Sequence, residues 1–185
     1  MSKTLLLALD SYYKDDICNT SLIVFNKEEN ETIYADTIYT KVTSDYIPGE
    51  FYKRELPGIK KILKKFIKEQ PELWDQIHAV IVDSYVTLKV GDKEWDGLGA
   101  YVHKFLYKIE QPKIVYGVAK SKFGDCDKIS GKIYRGESKN PLYVQTTSAP
   151  KVAGYYILYM HGKYRIPTML KEVDRLSRIF PDNNG

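Results

Sequence analysis

Two apolar runs in this chain are each closed by an aspartate: LLLALD at 5–10 and AVIVD at 79–83. A strand that is apolar at every position has both faces covered, so it belongs in the middle of a sheet with helices packed on each side. A third run, KIVYGVAKS at 113–121, is of the same parallel-sheet type. Residues 21–25 and 32–42 read as a hairpin around the polar turn 26–30, and the helical and apolar runs then alternate. Strand, hairpin, helix, strand, helix, strand is the order of an α/β chain. The expectation is a central mixed sheet of about five or more strands with helices on both faces, its first three strands antiparallel.

Between the two aspartates, Pro57 suits the first turn of a helix. Ile59, Ile62, Leu63, Phe66 and Ile67 share one face of it, and five lysines lie largely on the other. Residues 86–97 read as a polar loop with a Gly-Asp turn. A helix opened by glycines follows over 97–108. GKIYRG and PLYVQTT read as short strands, and helices are expected over Val152–Met160 and, after a turn at Pro167, over Leu170–Ile179. No linker, internal repeat or low-complexity stretch divides residues 1–185, which read as a single domain.

The hydrophobic share of 43% and charged share of 28% exclude a disordered chain, and the sixteen tyrosines point to strands and half-buried positions. A net charge of +4 permits a polyanionic partner and does not demand one. Cys18 and Cys126 match no metal or redox spacing and read as thiols of a reducing compartment. LLLAL is too short for a signal-peptide core, and no run approaches a membrane span, so a cytoplasmic protein with no membrane partner is expected. A monomer is the favoured state.

The chemistry-bearing residues fall around those strand ends. Asp10 and Asp83 close apolar strands, and Glu55 opens the helix between them. If the two strands are neighbours, the three acids converge. Unpaired carboxylates that close persist only with a cation or with raised pKa values, and Mg²⁺ suits a few carboxylates plus water and phosphate oxygens. The alternative is three separate solvent-facing acids at strand ends and a helix start, where acids are common. The stretch YIPGEFYKRELP at 46–57 adds a Pro-Gly turn, an aromatic and an Arg-Glu pair to one short join.

In family order, the chain carries LALDSYY, DYIPGEFYKRELP, AVIVDSY, YGVAKSKF, PLYVQTTSA and YRIPTMLKEVDRLSR. Together these resemble the motifs of the endonuclease V family over nearly the whole chain. The resemblance implies a ribonuclease-H-like fold and hydrolysis of DNA or RNA near deaminated purines, chiefly inosine, by a metal-activated water. It implies Asp10, Glu55 and Asp83 as ligands of Mg²⁺, with Mn²⁺ as a possible substitute, and Lys120 at the scissile phosphate. Tyr46, Ile47, Pro48 and Gly49 would form a wedge beside the extruded base, and Arg54 would lie near phosphate. Gly117, Val118, Leu142 and Tyr143, with the residues up to Gln145, would line the base pocket.

Two departures stand out. The family histidines that follow the second aspartate are absent, and Ser148 lies near the place of another, so that Lys151 or Asp174 would have to supply the missing group. His78, His103 and His161 fall on neither spot and read as structural. The competing reading is a protein of the same fold that binds modified or branched nucleic acid without cutting it.

Overall fold

The computed structural model describes residues 4–42, 45, 47, 50 and 52–181. Three long strands open the chain: β1 (Leu5–Lys14), β2 (Ile17–Asn26) and β3 (Thr32–Lys41), antiparallel throughout. Helices α1 (Tyr52–Glu69) and α2 (Pro71–Gln76) lead into β4 (Ile77–Val82). The hairpin β5 (Thr87–Val90) and β6 (Lys93–Asp96), helix α3 (Leu98–Lys108) and β7 (Ile114–Ala119) follow. The chain closes with β8 (Gly131–Ile133), β9 (Leu142–Thr146), α4 (Pro150–Leu158) and α5 (Thr168–Ser177).

Seven strands form one mixed sheet in the order β3-β2-β1-β4-β7-β9-β8. The strands read from their apolar runs occupy its centre: β4 lies parallel to both β1 and β7. Alternation sends Leu5, Leu7 and Leu9 to one face, with Ile59 and Phe66 of α1 and Val102 of α3. Leu6 and Ala8 go to the other face, with Ile157 of α4 and Val173 of α5. The sheet is therefore covered on both sides, as α/β layering requires.

Three expectations change. The first concerns β1, which does not stop at Asp10 but runs to Lys14, because it pairs with β2 along its whole length. Asp10 marks instead the point where the partner on the other side, β4, gives out. The second is the start of α1. It begins at Tyr52, so Pro57 lies inside the helix and not at its start. The Tyr52 ring stacks on Tyr101 of α3, with centroids 3.9 Å apart, which holds an extra turn ahead of the proline. The third is residues 86–97, which form the β5–β6 hairpin with Gly91 at a φ of 59° in its turn. Its charged, half-exposed strands carry little apolar pattern.

Candidate active site

Strand register does the first part of the assembly. Leu9 pairs with Val82 in the parallel β1–β4 ladder, so the next residues, Asp10 and Asp83, are neighbours at about the 4.8 Å spacing of adjacent strands. Lys120 immediately follows β7, the next strand over, and its ammonium lies 3.2 Å from an Asp83 carboxylate oxygen. Three adjacent strands thus deliver two acids and a base to one end of the sheet. With Val118, Leu142, Ile166, Leu170 and Val173 they line a small, mainly apolar cleft.

Glu55 approaches from α1, the helix layer on the other face. What lets α1 come close is Gly58: a Cβ there would stand 2.3 Å from the Thr20 hydroxyl on β2. Glu55 is buried there, 6% exposed. Asp10 is nearly as buried and accepts a hydrogen bond from the Ser11 N–H at 2.8 Å.

The electrostatics follow from that burial. Desolvation, and behind it the Asp83 carboxylate, pushes the Asp10 pKa up to about 8, against the opposing pull of Lys120. Glu55 is raised by desolvation first and then by Asp10 and Asp83. Asp83 is also raised by desolvation, with Lys120 working against it. For Lys120, burial alone favours the neutral amine, but Asp83 and Asp10 outweigh it and hold the ammonium above its ordinary pKa. Lys120 thus serves both Asp10 and Asp83, while Arg54 pulls against the rise at Glu55. Hard oxygen donors short of positive charge suit a divalent cation. Among the described residues, however, no three His, Cys, Asp or Glu side chains stand close enough together to hold one as they are.

Asp174, on α5, adds a fourth carboxylate to the field. It raises the pKa values of Asp10 and Asp83 and that of Lys120, while its own oxygens pair with Arg178 at 3.2 Å. Of the two groups named for the missing histidine, Lys151 is an exposed residue of α4, and Asp174 is the one whose charge reaches the site. Ser148 is exposed, and its backbone N–H bonds the Thr146 hydroxyl.

The remaining predicted residues are distributed as follows. Arg54 lies over the Tyr13 ring, 4.3 Å from its centroid, and its Nε is buried without a hydrogen-bond partner. Tyr46, Pro48 and Gly49 lie outside the described residues; Ile47 between them is exposed. The base-pocket set divides. Val118 and Leu142 line the cleft beside Asp10 and Asp83. Tyr143 packs on the opposite side with Tyr85 and Cys126, and Gly117 lies under the chain after β4, where a Cβ would stand 2.6 Å from the Ser84 carbonyl. Gln145 is fully engaged: its carbonyl accepts from the Val86 and Thr87 N–H groups and its amide donates to the Thr87 carbonyl and the Ser130 hydroxyl.

None of the histidines joins the site. His78 bonds the Tyr116 hydroxyl at 3.0 Å, His161 bonds the Thr168 hydroxyl at 3.0 Å, and His103 sits in α3 beside Tyr107. Sequence reasoning passed over Tyr13. Its hydroxyl is buried with no hydrogen-bond partner, and burial followed by the Glu55 charge pushes its pKa far up. Its place in β1, three residues past Asp10 and on the α1 side, was the available signal.

No protein-family model matches the chain, and no curated protein matches it. Solved structures do. The catalytic domain of human endonuclease V superposes with a TM-score of 0.74 at 19% identity, covering 95% of this chain and 81% of that one. Endonuclease V of Ciona intestinalis, in complex with a 24mer DNA containing an inosine followed by a ribo-adenosine, gives 0.74 at 16% identity over 95% and 84%. The Streptomyces avermitilis endonuclease V gives 0.65 at 18% over 95% and 80%. With its mixed seven-stranded sheet between helical layers, the chain has the ribonuclease-H-like α/β fold of the endonuclease V structures.

Proposed function

We propose that this chain is a metal-dependent endonuclease acting on DNA or RNA that contains a deaminated purine, inosine in the first place. The observation that carries the proposal is the convergence of Asp10, Asp83 and Lys120 on three adjacent strand ends, with Glu55 reaching them from the opposite layer. Asp10 and Asp83, completed by Glu55, would hold Mg²⁺ or Mn²⁺. A divalent cation bound there supplies a water activated for in-line attack on a phosphodiester.

The chain's own groups account for the rest. Lys120 presents a charged ammonium to the scissile phosphate, and its pairing with Asp83 keeps it protonated and aimed. Arg54, over the Tyr13 ring at the start of α1, would lie near a phosphate of the bound strand. Tyr46, Ile47, Pro48 and Gly49 are the wedge of this proposal, filling the gap left by an extruded base, and Val118 and Leu142 form the apolar side of the base site. The two buried free thiols suit a reducing, cytoplasmic setting.

A second reading has one observation in its favour: no ready-made three-ligand group exists among the described residues. On that reading the chain binds modified nucleic acid and does not cut it. A nicking assay on inosine-containing single-stranded DNA and RNA, with undamaged controls and with Mg²⁺ or Mn²⁺, decides between them. Nicking that disappears in Asp83→Ala while the substrate still binds supports the endonuclease. Selective binding without nicking in either metal supports the binder. Tyr46→Ala should cost roughly 5- to 150-fold in selective affinity, the worth of one stacked base. Equal binding of altered and plain strands by the wild type would remove the inosine reading.

A further inference from the structure

The segment between α4 and α5 is held with unusual thoroughness for a surface loop. Arg135 is 4% exposed, and its guanidinium donates to the carbonyls of Met160 at 2.7 Å, Gly162 at 2.8 Å and Arg165 at 3.4 Å. Arg165 in turn donates to the carbonyls of Asn140 at 3.0 Å, Pro141 at 2.9 Å and Lys120. The Thr168 N–H closes the loop onto the His161 carbonyl at 2.9 Å. A loop tied this way is fixed both to the last two elements and to the strand end that carries Lys120.

On this rigid support Tyr164 faces outward, 59% exposed. Two ammonium groups stand against its ring: Lys163 at 5.3 Å and Lys171 at 4.8 Å from the centroid. Among the described residues neither lysine is paired with a carboxylate, whereas the next charged positions along α5 form their own pairs, Arg175 with Glu172 and Arg178 with Asp174. Folding stability explains none of this, because an exposed ring flanked by cations contributes little to a core. An exposed ring with two ammonium groups over it and, among the described residues, no carboxylate to hold them is complementary to a nucleobase and its phosphates, the lysines exchanging the ring for phosphate as the base stacks.

We propose that Lys163, Tyr164 and Lys171 form a stacking platform for one unpaired base of a single-stranded nucleic acid, next to the strand end that carries Lys120. The inference rests on the nucleic-acid reading of this face but adds a second point of attachment that needs neither metal nor a deaminated base. One arginine side chain, Arg165, separates the platform from Lys120, and Lys171 lies one helical turn ahead of Asp174. The platform thus holds the strand a short step away from the cutting point. It requires single-stranded character there, since a paired base offers no free face.

The test uses the whole chain and a fluorescein-labelled, inosine-free single-stranded DNA of about 15 nucleotides, within the usual site sizes for such grooves. Affinity is read by anisotropy in EDTA and again in Ca²⁺. Tyr164→Ala should weaken binding roughly 5- to 150-fold and Tyr164→Phe should leave it nearly unchanged. Lys163→Gln with Lys171→Gln should lower the salt slope by about 0.7 for each phosphate that is no longer neutralised. Tyr164→Trp supplies a direct stacking signal, quenched when the strand binds. Tyr164→Ala with wild-type affinity in a chain of unchanged melting temperature overturns the platform, as does an absence of binding by wild type in both buffers. Nicking activity that persists beside an unchanged Tyr164→Ala affinity removes the platform alone. A Tyr164-dependent affinity in a chain that cuts nothing removes the endonuclease alone.

Discussion

Asp10 holds two opposed roles at once: it is buried enough to resist ionisation, and it lies where a cation would require it ionised. Its carboxyl titrates near 3.8 in an unfolded chain and is raised to about 8 in the fold. Between those values the folded state keeps a proton that the unfolded state has lost, so stability falls as pH rises through that window. Asp10→Asn removes this carboxyl's share of the dependence and leaves that of Glu55 and Asp83. In EDTA, the fall in Tm from pH 5 to pH 8 should be shallower in Asp10→Asn than in the wild type. At pH 8 the variant should melt higher by roughly 2–4 °C for each kcal/mol of relieved charge burial. Added Mg²⁺ should recover the wild type at pH 8 and leave the variant unmoved. Differential scanning calorimetry across that range measures both, and identical pH profiles for the two proteins would contradict the raised carboxyl.

The element that matters most to the site is α1. It brings Glu55 to the sheet end, and the approach depends on Gly58 lying against Thr20. Gly58→Ala should therefore cost about 1–3 kcal/mol, the usual penalty of overpacking, although alanine is the better helix former. Thr20→Ala in the same chain removes the clashing hydroxyl and should return part of the loss, a coupling that urea unfolding of the four-member cycle reports. Gly58→Ala should also weaken metal-dependent stabilisation more than its global cost explains, since it lifts Glu55 away from Asp10. The start of this helix departs from the sequence expectation for a definite reason. Pro57 is a strong local signal for a first turn, whereas the Tyr52–Tyr101 stack that extends the helix is a tertiary contact between residues 49 positions apart.

At the scale of the whole molecule, β1 and β4 serve both cores: Leu7 and Val80 point into one and Leu6 and Ile81 into the other. The two cores should melt as one. Leu6→Ala and Leu7→Ala, on opposite faces, should each destabilise by about 2–5 kcal/mol. In each variant, fluorescence of Trp74, buried in the α1 layer, should follow the same transition as far-UV circular dichroism. Two separated transitions would contradict a shared sheet.

The same sharing explains what could be read in advance. Apolar runs announced the central strands, and the aspartates closing two of those runs announced the candidate site. The register that makes Asp10 and Asp83 neighbours is a pairing between distant segments and had no local signal. The hairpin at 87–96 was hidden by its charge. The base-pocket set could have been divided beforehand, because alternation along β7 and β9 puts Gly117 and Tyr143 on the face opposite Val118 and Leu142. The reach of Asp174 was legible only as a gap waiting at Ser148.

The groups around the strand ends come from widely separated parts of the chain: Asp10 from the first strand, Asp174 from the last helix, Glu55 through one layer and the others through the sheet. During synthesis, the first acid is made long before the base and the final carboxylate. A nascent or half-folded chain therefore carries the pieces of the candidate site without the site. On the proposed endonuclease reading, this arrangement is a safety catch: the capacity to damage nucleic acid would come into being only with the finished protein, and disappear with it when the protein unfolds.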